Sequence, residues 1–141
     1  MRVIAAGIAG SILLSGGASD IATAKTVELL RSGFWTAFGG TTGDATPVCG
    51  LMASSEQGRV FAVMWFKGDD HLTIQLFKPA WTVPIGMQVD IAIRFDDAAA
   101  WSAKAVGMGN LSTGSGIEFK VPMENVDKFS GELRYANTMT L

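Results

Sequence analysis

The sequence predicts a mainly β fold, an antiparallel β-sandwich of about seven short strands with one C-terminal helix. Leu72–Leu76 and Val89–Phe95 alternate apolar with polar residues, and this period of two places alternate side chains on opposite faces of a strand. Val60–Phe66 is apolar throughout, which is typical of a central strand covered on both faces. Between Met123 and Ala136, apolar residues recur at intervals of three or four, which indicates one face of a helix.

The remaining strands are predicted from short apolar segments bounded by turn residues. They are Phe34–Phe38, Val48–Ser54, Trp101–Val106 and Ile117–Val121. The segments 39–47, 107–110 and 112–116 are rich in Gly, Ser, Thr, Asp and Asn and are predicted as loops. Lys25–Arg31 is predicted as a lead-in, helical or extended, and Met139–Leu141 as the opening of another strand.

The pattern also assigns faces and connections. Ile74 and Ile91 are predicted to point inward from neighbouring strands. The segment Pro79–Pro84 is predicted to be stiff and extended, because proline lacks a backbone donor and restricts the residue before it. We expect this segment to cross from one sheet to the other. Pro122 suits the first position of the helix, and Asn137 suits its C-terminal cap.

Composition limits the class of protein. The 141 residues are 48% hydrophobic and 17% charged, which is enough for one domain with a core and is unlike a disordered segment. The net charge is −2, and the eleven Lys and Arg residues are scattered singly along the chain. Because no basic stripe forms, no nucleic-acid partner is predicted.

The first 24 residues follow the three-part pattern of a secretory signal peptide. Arg2 supplies the positive start, Val3–Leu14 the apolar run, and Ala22-Thr23-Ala24 a small-x-small cleavage site. The apolar run is too short for a membrane span. We therefore predict cleavage after Ala24, a single β-sandwich domain at residues 25–141, and a periplasmic or secreted bacterial protein without a membrane span.

The single histidine and the single cysteine are the candidate catalytic side chains. His71, beside Asp69 and Asp70, could be a general base or a metal ligand, but a solvated turn histidine is the preferred interpretation. Cys49 could be a nucleophile if a base activated it. Its apolar strand favours a buried free thiol instead, with pairing to a partner molecule as the alternative. The acid pairs and glycine pairs lack the spacing of calcium or phosphate sites, so no metal, cofactor or catalytic residue is predicted.

The four tryptophans fall into two groups according to the residues around them. Trp35, Trp65 and Trp101 lie in predicted strands, and we expect them to fill the core. Trp81 lies between two prolines, close to Lys78, and is predicted to be partly exposed. Trp81 and Lys78 are therefore the predicted binding residues. The alternative is that Trp81 caps one end of the sandwich.

Four features follow one another along the mature chain: Trp35, a cysteine-bearing strand at Cys49, the segment FKPAWTVPIGMQV at Phe77–Val89, and Val121-Pro122 followed by Val126 and Phe129. In this order they resemble the invasion-associated locus B family of secreted alphaproteobacterial proteins. The resemblance implies a secreted β-sandwich-like domain without established catalytic residues, acting at the bacterial surface or on host cells. The chain lacks the further cysteines that members often have and stops where a longer member continues with another strand. A shared disulfide or partner is therefore not implied.

Together these observations predict an exported, non-enzymatic β-sandwich protein that binds a protein or cell-surface partner. Two alternatives stay open from the sequence. One is a small periplasmic hydrolase that uses Cys49 or His71, and the other is a carrier of a small apolar ligand.

Overall fold

A computed structural model of the chain describes residues 25–111 and 114–141. These residues form nine β-strands and a helix near the C-terminus, which confirms the mainly β class and the C-terminal helix. The strands are β1 (Lys25–Ser32), β2 (Trp35–Thr41), β3 (Pro47–Ser54), β4 (Val60–Phe66), β5 (His71–Lys78), β6 (Gln88–Phe95), β7 (Trp101–Leu111), β8 (Gly114–Pro122) and β9 (Met139–Thr140). The α-helix, α1, spans Val126–Tyr135 and follows a 3-10 turn at Met123–Asn125. The predicted signal peptide at residues 1–24 lies outside the described residues.

The described strands form one antiparallel sheet in the order β1-β2-β3-β4-β5-β8-β7-β6-β9. β1 to β5 are joined by consecutive hairpins. Residues 79–87 then carry the chain across to β6, and two further hairpins bring β8 back beside β5. The prediction that this segment crosses between two sheets is wrong, because both of its ends belong to one sheet. The two-sheet sandwich and the count of seven strands are not confirmed.

β7 and β8 are longer than the sequence predicts, because both include residues of the predicted loops 107–110 and 112–116. Gly107 is buried, and a Cβ at this position would overlap the carbonyl oxygen of Pro84 and lie 2.9 Å from Cγ1 of Val83. Glycine occupies the position because the crossover packs directly on the strand, and not because the chain turns there.

The main core lies on one face of the sheet, beneath α1. Ile74, Phe95 and Phe129 are at most 2% exposed. The Phe129 ring contacts Phe95 of β6 and Trp101 of β7 edge to face, with centroid distances of 5.4 Å and 5.5 Å. The predicted inward position of Ile74 is confirmed, whereas Ile91 is only partly buried. Their strands are not neighbours, since β8 and β7 lie between β5 and β6.

A second, smaller cluster lies on the opposite face of the sheet. It consists of Phe38, Val48 and Met64, which are 5%, 5% and 1% exposed. Met64 is three residues from Phe61, which belongs to the main core, so the two side chains point to opposite faces of β4. The prediction of an apolar central strand covered on both sides is therefore confirmed.

The C-terminal segment returns to the sheet through Asp96. This residue adopts a left-handed backbone with φ of 47°, a conformation that Asp tolerates better than most residues. Its carboxylate accepts hydrogen bonds from the backbone N–H groups of Thr138 at 2.8 Å and Asn137 at 3.1 Å. Asn137 is thus not the C-terminal cap of α1, which is Ala136. These bonds place β9 against β6, where Phe95 pairs with Met139.

Candidate functional site

A cleft of about 880 Å³ opens at the end of the sheet where β3 passes into β4 and β5 passes into the crossover. Its floor is apolar: Phe61 and Leu76 are each 7% exposed and belong to the main core. Met139 and Leu141 line another wall. The hydrogen bonds to Asp96 that hold the C-terminal segment therefore also shape the cleft.

Trp81 and Lys78, the two predicted binding residues, both line this cleft and lie next to one another. β5 ends at Lys78, and the chain then turns so that the backbone N–H of Trp81 donates to the carbonyl oxygen of Lys78 at 3.0 Å. The turn brings the Lys78 ammonium over the indole ring, 5.9 Å from its centroid, within the range of a cation–π contact. Trp81 is half-buried and packs against the main core, so one part of its ring contacts the fold and another part remains accessible.

The segment that carries Trp81 is tied down at its far end. The backbone N–H of Gly86 donates to the carbonyl oxygen of Gly107 at 2.9 Å, and the backbone N–H of Gly107 donates to the carbonyl oxygen of Met87 at 2.8 Å. Pro79 and Pro84 restrict the residues between. The backbone of the segment that carries Trp81 is therefore restrained at both ends.

The sequence does not single out Phe34 as part of this site. The predicted strand Phe34–Phe38 includes it, but β2 begins one residue later and Phe34 lies in the hairpin between β1 and β2. Its ring is 81% exposed and lines the cleft. The adjacent Gly33, with φ of 58°, is the turn signal that separates it from the strand.

Three charged side chains line the cleft, two of them cationic. Arg59 and Lys78 are the cations, and Glu56 is the single carboxylate side chain among the lining residues. Among the lining side chains, the cations therefore outnumber the anion by one.

The other tryptophans are partly buried, and so the prediction that they fill the core holds only in part. Trp35 and Trp101 pack against the main core. Trp35 also contacts Phe61 edge to face, at a centroid distance of 6.0 Å. The Trp65 Nε1–H donates to the carbonyl oxygen of Asp69 at 3.1 Å, and this bond supports the turn before β5.

The prediction that His71 is solvated is wrong, because its side chain is only 16% exposed. Its Nδ1 lies 2.9 Å from Oδ1 of Asp70, and its Nε2 lies 3.4 Å from Oδ2 of Asp69. The hydrogen bond to His71 is the main cause that holds the pKa of the Asp70 carboxyl below its usual range. Both ring nitrogens therefore have carboxylate neighbours. The cluster lies where β5 begins, at the opposite end of the strand from Lys78 and the cleft.

Cys49 is exposed, so the prediction of a buried thiol is also wrong. Cys49 pairs with Trp65 on β4 and shares its face with Val63, which pairs with Ile74 on β5. His71 lies three residues from Ile74 and therefore points to the opposite face. The sheet thus separates Cys49 from His71, and the two cannot act on the same substrate atom.

Within residues 25–111 and 114–141, no group of three or more His, Cys, Asp and Glu side chains is arranged to hold a metal ion. Neither helical segment of this part of the chain combines the length and apolarity that a membrane crossing requires.

Comparisons of the chain with protein-family profiles, with curated proteins and with solved structures found no match. The resemblance to the invasion-associated locus B family therefore stays a prediction from the sequence.

Proposed function

We propose that this chain is an exported, non-enzymatic binding protein, and that its cleft receives an apolar side chain of a protein or cell-surface partner. One observation carries the proposal. Trp81 and Lys78 lie side by side in the wall of an open cleft whose floor is formed by Phe61 and Leu76 of the core. A half-buried indole beside an apolar floor is the type of anchor that dominates the binding energy of protein interfaces.

The restraint on the crossover supports this proposal. Binding costs free energy when a loop or a side chain must be ordered, at about 0.5–1.5 kcal/mol for each flexible side chain that is immobilised. The turn at Lys78 and the hydrogen bonds at Gly107 hold the backbone around Trp81, and its ring packs against the main core, so part of this cost is already met in the free protein. A partner residue that stacks on Trp81 therefore retains most of its contact energy.

The charges at the rim narrow the chemistry of the partner. Lys78 and Arg59 lie at the same cleft, with Glu56 as the opposing charge. A partner segment with an aromatic or aliphatic side chain next to a carboxylate would place its apolar group on Trp81 and its anion near the two cations. Such a contact depends on salt, because exposed charges are screened at physiological ionic strength.

Replacement of Trp81 with Ala tests the site. We expect the partner's affinity to fall by about 2 kcal/mol or more, as for an interface anchor. The free energy of unfolding should fall by less than the about 3–5 kcal/mol that loss of a fully buried aromatic side chain costs, because the ring is only half-buried. Ile85→Ala is the matched control, since Ile85 is an apolar residue of the same crossover that is 77% exposed.

Urea denaturation of these variants can be measured before the partner is identified. A loss in the range of a fully buried ring would make Trp81 a core residue and would remove it from the site. Capture from an envelope fraction by the immobilised chain then provides the partner. Equal capture by the wild-type chain and the Trp81→Ala variant would refute the cleft as the binding site.

Export is part of this proposal and rests on the N-terminal pattern. We expect the protein isolated from its producing cells to begin at Lys25, and mass spectrometry of the intact chain measures this directly. Recovery of the uncleaved chain from the cytoplasmic fraction would contradict export, but would not affect the argument for the cleft as a binding site.

The sandwich architecture also belongs to the proposal. It would require a second layer that packs against the uncovered part of the sheet.

The volume of the cleft favours a second candidate, a carrier of a small apolar ligand. About 880 Å³ lies within the range of roughly 300–1,000 Å³ that is typical of small-molecule sites. Native mass spectrometry of gently purified protein distinguishes the two candidates. A carrier would show a mass above that of the chain, and this additional mass would be lost from the Trp81→Ala variant.

A further inference from the structure

One face of the sheet is apolar along β1 but is not covered there. Val27, Leu29 and Leu30 of β1 are 58%, 66% and 66% exposed, although all three are large apolar residues. On β3, Leu51 is 43% exposed and the Cys49 thiol is also exposed. We call these five residues the open face.

Pairing across the strands shows that the open face continues the face that carries the main core. Leu30 pairs with Ala37, Ala37 with Leu51, Leu51 with Val63, and Val63 with Ile74. Directly opposed residues of neighbouring strands lie on one face, so these five form a single row across the sheet. Along this row the exposed fraction falls from 66% at Leu30 to 43% at Leu51 and 0% at Ile74.

The row is apolar from end to end, but only one end is covered. The described contacts of α1 are with the side of the sheet that holds β6, β7 and β8. A sheet face with an apolar stripe requires a second layer to bury it. Above β1 to β3, the described residues supply none.

The polar residues of β1 show that this arrangement is specific to one face. Glu28 and Arg31 point to the other side of the strand and pair with each other, with Arg31 Nη2 2.6 Å from Glu28 Oε2. A one-residue register shift between Glu28 and Leu30 places Leu29 on the apolar side, where its Cδ1 would lie 3.2 Å from a Cβ at Gly39. The bulge thus adds an apolar side chain to the open face.

We propose that the open face binds the open face of a second copy of this chain, so that two sheets stack about a two-fold axis. Charge favours this occupant. Strands β1, β2 and β3 contain three charged residues, Lys25, Glu28 and Arg31. Of these, only Lys25, at the end of β1, lies on the same side of the sheet as the open face. An interface between identical subunits brings each patch against itself, so an uncharged patch meets its copy without like-charge repulsion, despite a net charge of −2 on each chain.

The size of the open face agrees with a reversible dimer. β1, β2 and β3 have eight, seven and eight residues. With about 3.3 Å per residue and about 4.8 Å between strands, their face measures roughly 25 Å by 14 Å, or about 350 Å². Two such faces give about 700 Å², which is below the roughly 1,000 Å² of a stable specific interface, so the dimer is expected to be weak and reversible. This inference does not rest on the function proposed for the cleft.

Sedimentation equilibrium of the full chain between about 1 µM and about 200 µM tests the dimer, since an interface of this size is expected to be reversible in that range. We expect the apparent mass to rise from one chain to two. Leu30→Asp places a charge in the interface and should keep the chain monomeric at the highest concentration. Ile85→Asp, at a 77% exposed position outside the open face, is the control and should dimerise as the wild type does.

Alkylation of Cys49 by a maleimide gives a second measurement that does not depend on mass. If the open face is an interface, the rate of alkylation should fall at least several-fold from the lowest to the highest protein concentration. The rate in Leu30→Asp should not change with concentration. Circular dichroism confirms that each variant is folded, and Leu51→Ser is a milder variant with the same expected loss of the dimer.

Each other outcome overturns the proposal. A chain that is monomeric throughout, with Cys49 alkylated rapidly, leaves the face without an occupant. A monomer whose Cys49 is protected at all concentrations indicates that another segment of the same chain, such as residues 1–24, covers the face. A dimer that persists in Leu30→Asp and Leu51→Ser, or that is lost in Ile85→Asp, places the contact elsewhere.

Discussion

Phe129 is the residue through which α1 is fixed to the sheet, and its replacement by Ala is the sharpest test of the fold. The side chain is 1% exposed and lies between the rings of Phe95 and Trp101. The interplanar angles are 77° and 81°, so both contacts are edge to face. Loss of the ring removes both contacts together and opens a cavity at the centre of the core.

The magnitude follows from burial and from these two contacts. Replacement of a buried Phe by Ala costs about 3–5 kcal/mol in transfer and cavity free energy. Aromatic pairs of this geometry contribute about 0.5–1.5 kcal/mol each beyond the area that they bury. The cost of a whole substitution already includes such contacts, so two of them place the expected loss at the upper end of its range, about 4–5 kcal/mol. This is a large part of the roughly 5–15 kcal/mol that is typical of a domain.

Urea denaturation followed by circular dichroism measures this loss. Tyr135→Ala is the control, because Tyr135 is an aromatic residue of the same helix that is 76% exposed, and its loss should cost within about 0.5 kcal/mol. If Phe129→Ala does not fold, Phe129→Leu retains most of the volume and should lose about 1–2.5 kcal/mol. Equal losses at Phe129 and Tyr135 would refute the packing of α1 on the sheet.

Two further predictions use the same denaturation assay. Hydrogen bonds from the backbone of Asn137 and Thr138 hold the pKa of the Asp96 carboxyl below its usual range, so stability from this carboxylate is present above the ordinary value of about 3.9 and is lost as pH falls through the lowered one. Asp96→Asn should reduce the loss of stability on acidification, and a dependence equal to that of the exposed Asp97→Asn control would contradict this role. Gly131 lies inside α1, and a Cβ there would have no heavy atom within 4 Å. Gly131→Ala should therefore raise the free energy of unfolding by about 0.5–1 kcal/mol, and a decrease would reveal a contact that the structure does not contain.

Local sequence patterns were sufficient to locate most strands of this fold. Alternation identified β5 and β6, and the apolar run identified β4, because both signals depend only on neighbouring residues. The change of period located α1 for the same reason. Strand order was not accessible in this way. The positions of β8 and β7 between β5 and β6 depend on pairing between residues far apart in sequence, such as Ile74 with Phe119.

Glycine gave the least reliable signal. Gly107 and Gly116 resemble loop residues in the sequence, but both are buried within strands. At Gly107 the absence of a Cβ makes room for the crossover, and this requirement arises only from the tertiary structure.

The candidate site shows the same division between local and long-range information. The prolines near Trp81 predicted a partly exposed tryptophan, and its ring is half-buried, as are the rings of the other three tryptophans. Its proximity to Lys78 follows from the turn between them. The contributions of Phe34 and Leu141 could not be predicted, because they reach the cleft from the first hairpin and from the C-terminal segment. For Cys49, the sequence indicated an apolar strand, but it did not show that the layer formed by α1 ends before β3 and leaves the thiol exposed.

The partial cover that α1 gives to the sheet accounts for both surfaces proposed above. The helix is ten residues long, or about 15 Å, and strands lie about 4.8 Å apart, so one helix cannot cover a sheet of nine strands. The cover is centred on Phe129, which is 1% exposed, and the row described above is fully buried only at its Ile74 end. Beyond it, the same apolar face continues to the cleft at Trp81 and to the open face at Leu30. The cleft and the open face both present apolar side chains of the kind found in a core, but no second layer covers them. For this reason we expect other molecules, or other segments of chain, to bind there.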